Sequence, residues 1–330
     1  MTNSFRALVV NKTENDFSVN VQSLTLADLP EGEVTIRVAY SSVNYKDGLA
    51  SIPNGKIVRT YPFIPGIDLA GTVVDSKDSR YKAGDEVIVT SYELGVSHFG
   101  GFSECARVPA DWVVPLPKGL TLKEAMVFGT AGFTAALSVQ RLEENGLTPD
   151  KGPVLVTGAT GGVGSIAVAI LAKRGYHVVA STGKQVEHEY LKSIGAAEVI
   201  DRQDVVLDPI PAMGKQRWAA AVDPVGGNTL ASILSTVQYG GSVAASGLTG
   251  GTNVPTTVFP FILRGVNLLG IDSVYCPMET RKLLWERMAS DYKPDTLLNY
   301  IENEVTLDEL PNTLASILKA EVRGRTIVKL

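Results

Sequence analysis

The sequence predicts an α/β chain in which a β-rich, partly open barrel precedes a doubly wound parallel sheet. Three observations predict it. Residues 5–110 carry short β-branched runs and no amphipathic helix of three turns. From residue 154 to 272 strand-like and helix-like segments alternate. Between two apolar runs stands Thr157-Gly158-Ala159-Thr160-Gly161-Gly162-Val163-Gly164-Ser165, a glycine-rich turn. At 330 residues, 45% of them hydrophobic and 20% charged, the chain has enough material for a large core and for two domains.

In the first 120 residues, segments 5–10, 19–24 and 34–40 alternate or run in β-branched residues between polar, Gly or Pro breaks, and each predicts a strand. Shorter strands are expected at 71–74, 86–90 and 106–109. Three segments here carry possible chemistry: Asn44-Tyr45-Lys46-Asp47, Pro65-Gly66-Ile67-Asp68-Leu69-Ala70-Gly71 and Gly100-Gly101-Phe102-Ser103-Glu104. Taken alone, a Tyr and an Asp near loop starts imply only local hydrogen bonds and Asx-turns. The three histidines, His98, His177 and His188, form no pair at ligand spacing, and Cys105 and Cys276 are isolated, so no metal site is expected.

Pro115 and Pro117 mark a domain boundary near residue 120. Thr121-Leu122-Lys123-Glu124 then has the form of a capping box and opens a helix over 125–137. Strands follow at 177–181, 198–201, 218–223, 242–246 and 267–272, with helices at 186–194 and 227–237. Apolar strands alternating with helices make a parallel sheet covered on both faces, a Rossmann sheet, with the glycine turn on its first strand-to-helix connection. Glycines there permit positive φ, let backbone approach a pyrophosphate, and leave the first N–H groups of the helix at residues 166–174 facing its charge. The spacing is G-x-x-G-x-x-G rather than G-x-G-x-x-G, so the turn alone is equally a connection without a cofactor; its place in the alternation decides for a dinucleotide.

The second strand ends Ala180-Ser181-Thr182-Gly183-Lys184, with no carboxylate before Glu187. A ribose 2′-hydroxyl would call for an acid there. Hydroxyls with Lys184, and Arg202 after the third strand, suit a 2′-phosphate, so NADP(H) is expected in preference to NAD(H); the competing reading leaves both cations as solvated surface charges. No Tyr has Lys four residues on, which argues against short-chain dehydrogenases, and neither a Gly-x-Ser-x-Gly elbow nor a P-loop lysine occurs. A net charge of -5 argues against a generally basic nucleic-acid surface. The first residues lack the basic start and apolar core of a signal peptide, and the uncharged region 225–263 is broken by Gly, Pro, Ser and Thr, so a cytoplasmic chain without a membrane segment is expected.

The helix carrying Gly129-Thr-Ala-Gly-Phe-Thr-Ala135, the glycine turn and the closing Arg323-Gly-Arg-Thr-Ile-Val-Lys329 resemble the medium-chain dehydrogenase/reductase superfamily. The likeness spans the whole chain. The three segments at 44–47, 65–71 and 100–104, with His188-Glu-Tyr-Leu-Lys-Ser-Ile-Gly-Ala196, are similar to its zinc-free quinone oxidoreductase branch, in particular the YhdH/YhfP-type subgroup that includes acrylyl-CoA reductases. Asn44 and Ile67 stand where the zinc alcohol dehydrogenases have ligands. The resemblance implies a GroES-like catalytic domain from residues 1–120 and 296–330, a Rossmann domain from 121–295, and an active cleft between them. It implies metal-free hydride transfer from NADPH to an activated double bond, with an enoyl thioester such as acrylyl-CoA, a quinone or an enal as substrate; a non-enzymatic NADPH-binding role is the further alternative. Tyr45 is the implied polar group beside the nicotinamide and the candidate proton donor, with water the alternative source of the proton; Asn44 is its hydrogen-bonding neighbour, and Asp47 a fixer of the loop. Implied cofactor contacts are Thr160, Gly161, Gly162 and Val163 at the phosphates, Ser181, Thr182, Gly183, Lys184 and Arg202 around the 2′-phosphate, and Leu248 and Ser273 with Tyr45 toward the nicotinamide. Pairing of the strand at 268–272 across a two-fold axis implies a homodimer. The substrate pocket is expected among loops 44–60, 90–100 and 247–285.

Overall fold

The N-terminal region opens with two antiparallel strands, β1 (Ser4–Lys12) and β2 (Phe17–Thr25). The structure, a computed structural model, describes residues 4–295, 297–319 and 322–330. β3 (Val34–Ser42) is followed by a short helix α1 (Tyr45–Ala50), then β4 (Asp68–Ser76), β5 (Glu86–Thr90), β6 (Cys105–Val108) and β7 (Val114–Pro115). β4 pairs antiparallel with β3 and with β5, and β6 also pairs with β3. Alternation places Val34, Ile36, Leu69, Val87 and Val89 in one core, each fully buried. The gain in burying such side chains, roughly 1.5–3 kcal/mol each, is what fixes the strand register.

Helix α2 (Leu122–Glu144) begins at the expected capping box: the Thr121 N–H donates to the Glu124 carboxylate at 2.9 Å, and the Glu124 N–H to the Thr121 hydroxyl at 3.2 Å. It is not one continuous helix. Gly129 breaks it with φ 52° and ψ -158°, a conformation open in practice only to glycine.

The dinucleotide-type region reads β8 (Val154–Val156), α3 (Gly162–Lys173), β9 (Val178–Thr182), α4 (His188–Ser193), β10 (Glu198–Asp201), β11 (Trp218–Asp223), α5 (Gly227–Thr236), β12 (Val237–Ala245), α6 (Phe259–Arg264) and β13 (Asn267–Gly270). The six strands are parallel in the order β10-β9-β8-β11-β12-β13. This is the doubly wound order, reversing at β8 beside the glycine turn. β12 begins five residues before the expected 242, because Gly240 and Gly241 interrupt its apolar pattern.

After β13 come α7 (Met278–Met288), β14 (Ile301–Val305), α8 (Leu310–Leu318) and β15 (Arg325–Lys329). The last strand pairs with β3 and β14, completing a seven-stranded sheet ordered β14-β15-β3-β4-β5-β7 with β6 beside β3. Two compact units result: Met1–Thr130 with Val274–Ala289 and Thr296–Leu330, and Ala131–Ser273 with Ser290–Asp295. Among the described residues, no helix is long and apolar enough to cross a membrane.

Candidate active site

In the second unit the glycine turn joins β8 to α3. Gly158 has φ 54°, a left-handed conformation. A Cβ on Gly164 would collide with the Gly158 carbonyl oxygen, so this glycine serves close packing of helix against turn. Gly161 is different: its φ is -82°, and an added Cβ would meet only the Gly158 oxygen at 3.4 Å, an ordinary contact. The protein itself has no steric need for glycine at 161. What its absent side chain leaves is open space at the N-terminus of a twelve-residue helix, where N–H groups have no intrahelical acceptor. That is a cradle of the kind a pyrophosphate fills.

At the end of β9, Ser181 and Thr182 are buried, and the Lys184 N–H donates to the Thr182 hydroxyl at 3.1 Å. The parallel register sets Asp201 beside Thr182 and carries Arg202 alongside Gly183. A Cβ on Gly183 would lie 2.8 Å from Arg202 Nε, so the guanidinium side chain rests on bare backbone. The Asp201 carboxylate is engaged in accepting from the Gln203 N–H at 2.8 Å. Two hydroxyls and the Arg202 guanidinium thus collect where an acid would serve a 2′-hydroxyl, with Lys184 next along the chain, and this set fits a 2′-phosphate. Leu248 lies exposed, and the Ser273 hydroxyl accepts from Thr134 Oγ1 at 2.8 Å.

Sequence reasoning missed Asp223. It is fully buried at the end of β11, accepts from the Thr157 hydroxyl and from the N–H groups of Val225 (3.2 Å) and Gly226 (2.9 Å), and so ties the glycine turn to the neighbouring strand. Burial pushes its carboxyl above the usual range. The signal was present in Asp223-Pro-Val-Gly-Gly227, a turn sequence directly after an apolar strand.

In the first unit the three flagged segments converge. The Gly101 N–H donates to Gly66 O at 2.8 Å and the Phe102 N–H to Pro65 O at 3.1 Å, joining the second segment to the third. Asp47 is fully buried; its carboxylate accepts from the Asn44 N–H at 2.8 Å and from the Ile67 N–H at 3.0 Å, joining the first to the second. It therefore does more than close a local turn. Asp68, also fully buried, accepts from Ser42 Oγ (2.6 Å), Asn44 Nδ2 (2.8 Å), the Thr130 N–H (2.9 Å) and Thr130 Oγ1 (2.5 Å). Arg325 completes the cluster, donating to Ser42 Oγ at 2.9 Å, Val127 O at 2.9 Å and Val43 O at 3.3 Å. Burial pushes its guanidinium down, and the charges of Asp68 and Asp47 oppose that shift. Gly129 is required here, since a Cβ would stand 2.5 Å from Ser42 Oγ and 2.6 Å from Asp68 Oδ2.

Tyr45 stands on this base as the first residue of α1. It is 48% exposed, and its hydroxyl makes no hydrogen bond among the described residues. The Asn44 amide nitrogen, by contrast, is spent inward on Asp68. Asn44 is thus placed to orient Tyr45 through the backbone.

A catalytic zinc does not fit. Ile67 offers no donor atom, the Asn44 amide nitrogen faces a carboxylate, and four donors already engage both Asp68 oxygens. Among the described residues no group of three or more His, Cys, Asp or Glu could hold a metal ion. His98 Nε2 lies 2.7 Å from Arg107 O, and His177 lies 2.8 Å from the Glu198 carboxylate on the surface.

Comparison with known proteins agrees with this geometry. Residues 30–118 match the family model of the alcohol dehydrogenase GroES-like domain, and residues 162–290 that of the zinc-binding dehydrogenases. YhfP of Bacillus subtilis, provisionally named a quinone oxidoreductase, is 63% identical over 330 residues, 100% of both chains; its crystal structure with NAD bound has a TM-score of 0.98. The acrylyl-CoA reductase AcuI of Ruegeria pomeroyi is 53% identical over 326 residues, 98% of each chain. The yhdH oxidoreductase of Salmonella enterica in complex with NADP is 47% identical, with 98% and 99% of the two chains covered and a TM-score of 0.96. The chain belongs to the medium-chain dehydrogenase/reductase superfamily, as an oxidoreductase of the YhdH/YhfP type.

Proposed function

We propose that the protein is an NADPH-dependent reductase of an activated carbon–carbon double bond, with an α,β-unsaturated acyl thioester such as acrylyl-CoA as substrate. The observation that carries the thioester is the full-length likeness to the Ruegeria acrylyl-CoA reductase. Reduction of a quinone or enal is the second reading, favoured by the name given to YhfP.

Related structures hold NADP in one case and NAD in another. In this chain Arg202 against Gly183, with Lys184, Ser181 and Thr182, favours the 2′-phosphate. Thr160, Gly161, Gly162 and Val163 would hold the pyrophosphate, and Leu248, Ser273 and Tyr45 the nicotinamide end. When bound, NADPH supplies the hydride that adds to the substrate's β-carbon. Negative charge then moves onto the thioester carbonyl, and a proton must reach the α-carbon. Tyr45 is the donor: its hydroxyl has no protein hydrogen bond among the described residues, and Asn44 and Asp47 fix its backbone from either side. The second copy of a homodimer would add at the outer edge of β13, where Leu268 is 43% exposed and Ile262 and Leu263 of α6 are 68% and 58% exposed.

The test follows nicotinamide absorbance with acrylyl-CoA, a quinone and an enal, using NADPH and NADH in parallel, on wild type and Tyr45→Phe. Turnover of acrylyl-CoA with NADPH preferred is expected, and a slower Tyr45→Phe. Turnover of the quinone alone would replace the thioester reading, and none with any substrate would remove the enzymatic one. Equal use of NADH would remove the 2′-phosphate assignment, and an unimpaired Tyr45→Phe would assign the proton to water. Sedimentation of the same sample at monomer mass would reject the dimer.

A further inference from the structure

Beside Tyr45 the first unit has a cleft of about 610 Å³ whose lining includes Lys46, Lys56, Arg59 and Glu93, with Ile57 and Val96 as apolar wall. Its charge is one-sided: three cations face one carboxylate. None of Lys46, Lys56 and Arg59 makes a hydrogen bond or ion pair among the described residues. Some cations of the same unit are matched, Arg6 with Asp308, Arg80 with Asp78 and Asp111, and Lys123 with Glu304, while Lys77, Lys82 and Lys118 have no ion pair among the described residues; what sets Lys46, Lys56 and Arg59 apart is that they gather in one concavity. Glu93, whose carboxylate accepts from the hydroxyls of Ser97 and Tyr275, offsets only one of the three positive charges, so the lining keeps a positive surplus. The Ser97 and Tyr275 hydroxyls, and after them the charge of Lys46, hold the Glu93 carboxyl below the usual range.

Unmatched like charges lining a concavity repel one another and focus a positive field, which an entering anion relieves. The chain as a whole carries a net charge of -5, so this collection of cations runs against its average. The loop that supplies two of them is held in an uncommon shape: Lys56 is a non-glycine residue with φ 59°. Tyr45 and Lys46 are successive residues of α1 and project about 100° apart around the helix, so the cleft opens beside the tyrosine rather than at it.

We propose that the cleft of Lys46, Lys56 and Arg59 is the subsite for the phosphates of a coenzyme A thioester. The inference rests on the thioester reading above and sharpens it, because a quinone or an enal has no charge for these residues to meet. A pyrophosphate and a 3′-phosphate would replace the missing counter-charges, and Ile57 and Val96 offer apolar surface to the uncharged parts of the same carrier. The cleft would then set KM through the carrier while the acyl group reacts elsewhere.

The experiment compares acrylyl thioesters of coenzyme A, 4′-phosphopantetheine and pantetheine, which carry progressively fewer phosphates. It uses wild type and the double variant Lys56→Glu/Arg59→Glu; both positions are exposed, and unchanged thermal melting checks folding. In wild type, kcat/KM should fall at least about tenfold from the coenzyme A ester to the pantetheine ester, through KM. In the double variant that ratio should collapse toward one. If the single phosphate of 4′-phosphopantetheine gives the full advantage, the subsite reads that phosphate, and a carrier-protein-borne thioester replaces coenzyme A. A ratio near one in wild type, or a ratio the double variant preserves, would overturn the proposal.

Calorimetry of coenzyme A binding to protein saturated with NADP+ separates the subsite from the reaction. Acrylyl-CoA turnover with binding indifferent to charge reversal leaves the thioester reading and removes the subsite. Absence of thioester turnover, with coenzyme A binding that the double variant weakens about tenfold, removes the reaction and keeps an anion subsite. Absence of both removes both.

Discussion

The glycine turn of the second unit and the buried polar cluster of the first are built on opposite principles. The turn is made within seven residues, from Gly158 to Gly164, and works by backbone: what matters is where side chains are missing. The cluster gathers Ser42, Asn44, Asp47, Asp68, Thr130 and Arg325 from across the first unit and works by side-chain charge held out of water. A backbone site tolerates loss of function without loss of fold. A buried charge cluster does not separate the two, because removing one member strands the others.

The largest effect is expected from Arg325→Leu. It leaves Asp47 and Asp68 in the core without their cation and removes three hydrogen bonds, which should lower unfolding free energy by about 3–5 kcal/mol in urea denaturation. A loss under about 1 kcal/mol would mean that charge does not hold this region together.

Gly161→Ala should act in the other way. Its Cβ meets only ordinary contact, so stability should stay within about 0.5 kcal/mol of wild type, while the dissociation constant for NADPH rises about tenfold as the methyl enters the phosphate cradle. Fluorescence titration of NADPH beside a denaturation curve measures both. A variant that loses stability and keeps its affinity would reverse the assignment of Gly161 from ligand to fold.

The same contrast explains what could be read from the sequence. The strands at 86–90, 198–201 and 218–223 occupy the expected limits, because each depends on local pattern, and parallel register brings Arg202 against Gly183. The cluster was only half legible. Asn44, Asp47 and Asp68 were visible as unusual polar residues, yet their partner Arg325 lies near the far end of the chain, and no spacing rule connects them. Gly129 was read as part of a continuous helix. A glycine inside an apolar helix costs about 1 kcal/mol relative to alanine, so its presence was a cue that something else demanded it. The demand is the close passage of Ser42 and Asp68, which only the folded chain brings there. The cationic cleft was also half legible: its lining falls in loops 44–60 and 90–100, where a pocket was expected, but no spacing rule gathers Lys46, Lys56 and Arg59 around one concavity.

The smallest effect is the most specific to the cluster, and it is a pH dependence. Asp47 is pushed up from 3.8 to about 7, chiefly by burial and then by the charge of Asp68, against the N–H groups of Asn44 and Ile67 that favour its ionised form. A folded-state pKa above the unfolded one means that the fold holds a proton the unfolded chain releases. Asp47 therefore contributes stability that is fully present below pH 3.8 and lost progressively as pH rises through about 7. Asp47→Asn abolishes this titration, while the hydrogen bond lost at one of the two N–H groups costs the same at every pH. The difference in unfolding free energy between wild type and Asp47→Asn should therefore shrink between pH 5 and pH 8, as wild type alone takes on a second buried negative charge next to Asp68. A difference that stays constant over that interval would show that Asp47 is already ionised at the lower pH. The cluster would then carry both carboxylates charged, balanced by Arg325, and α1 with Tyr45 would rest on a base indifferent to pH.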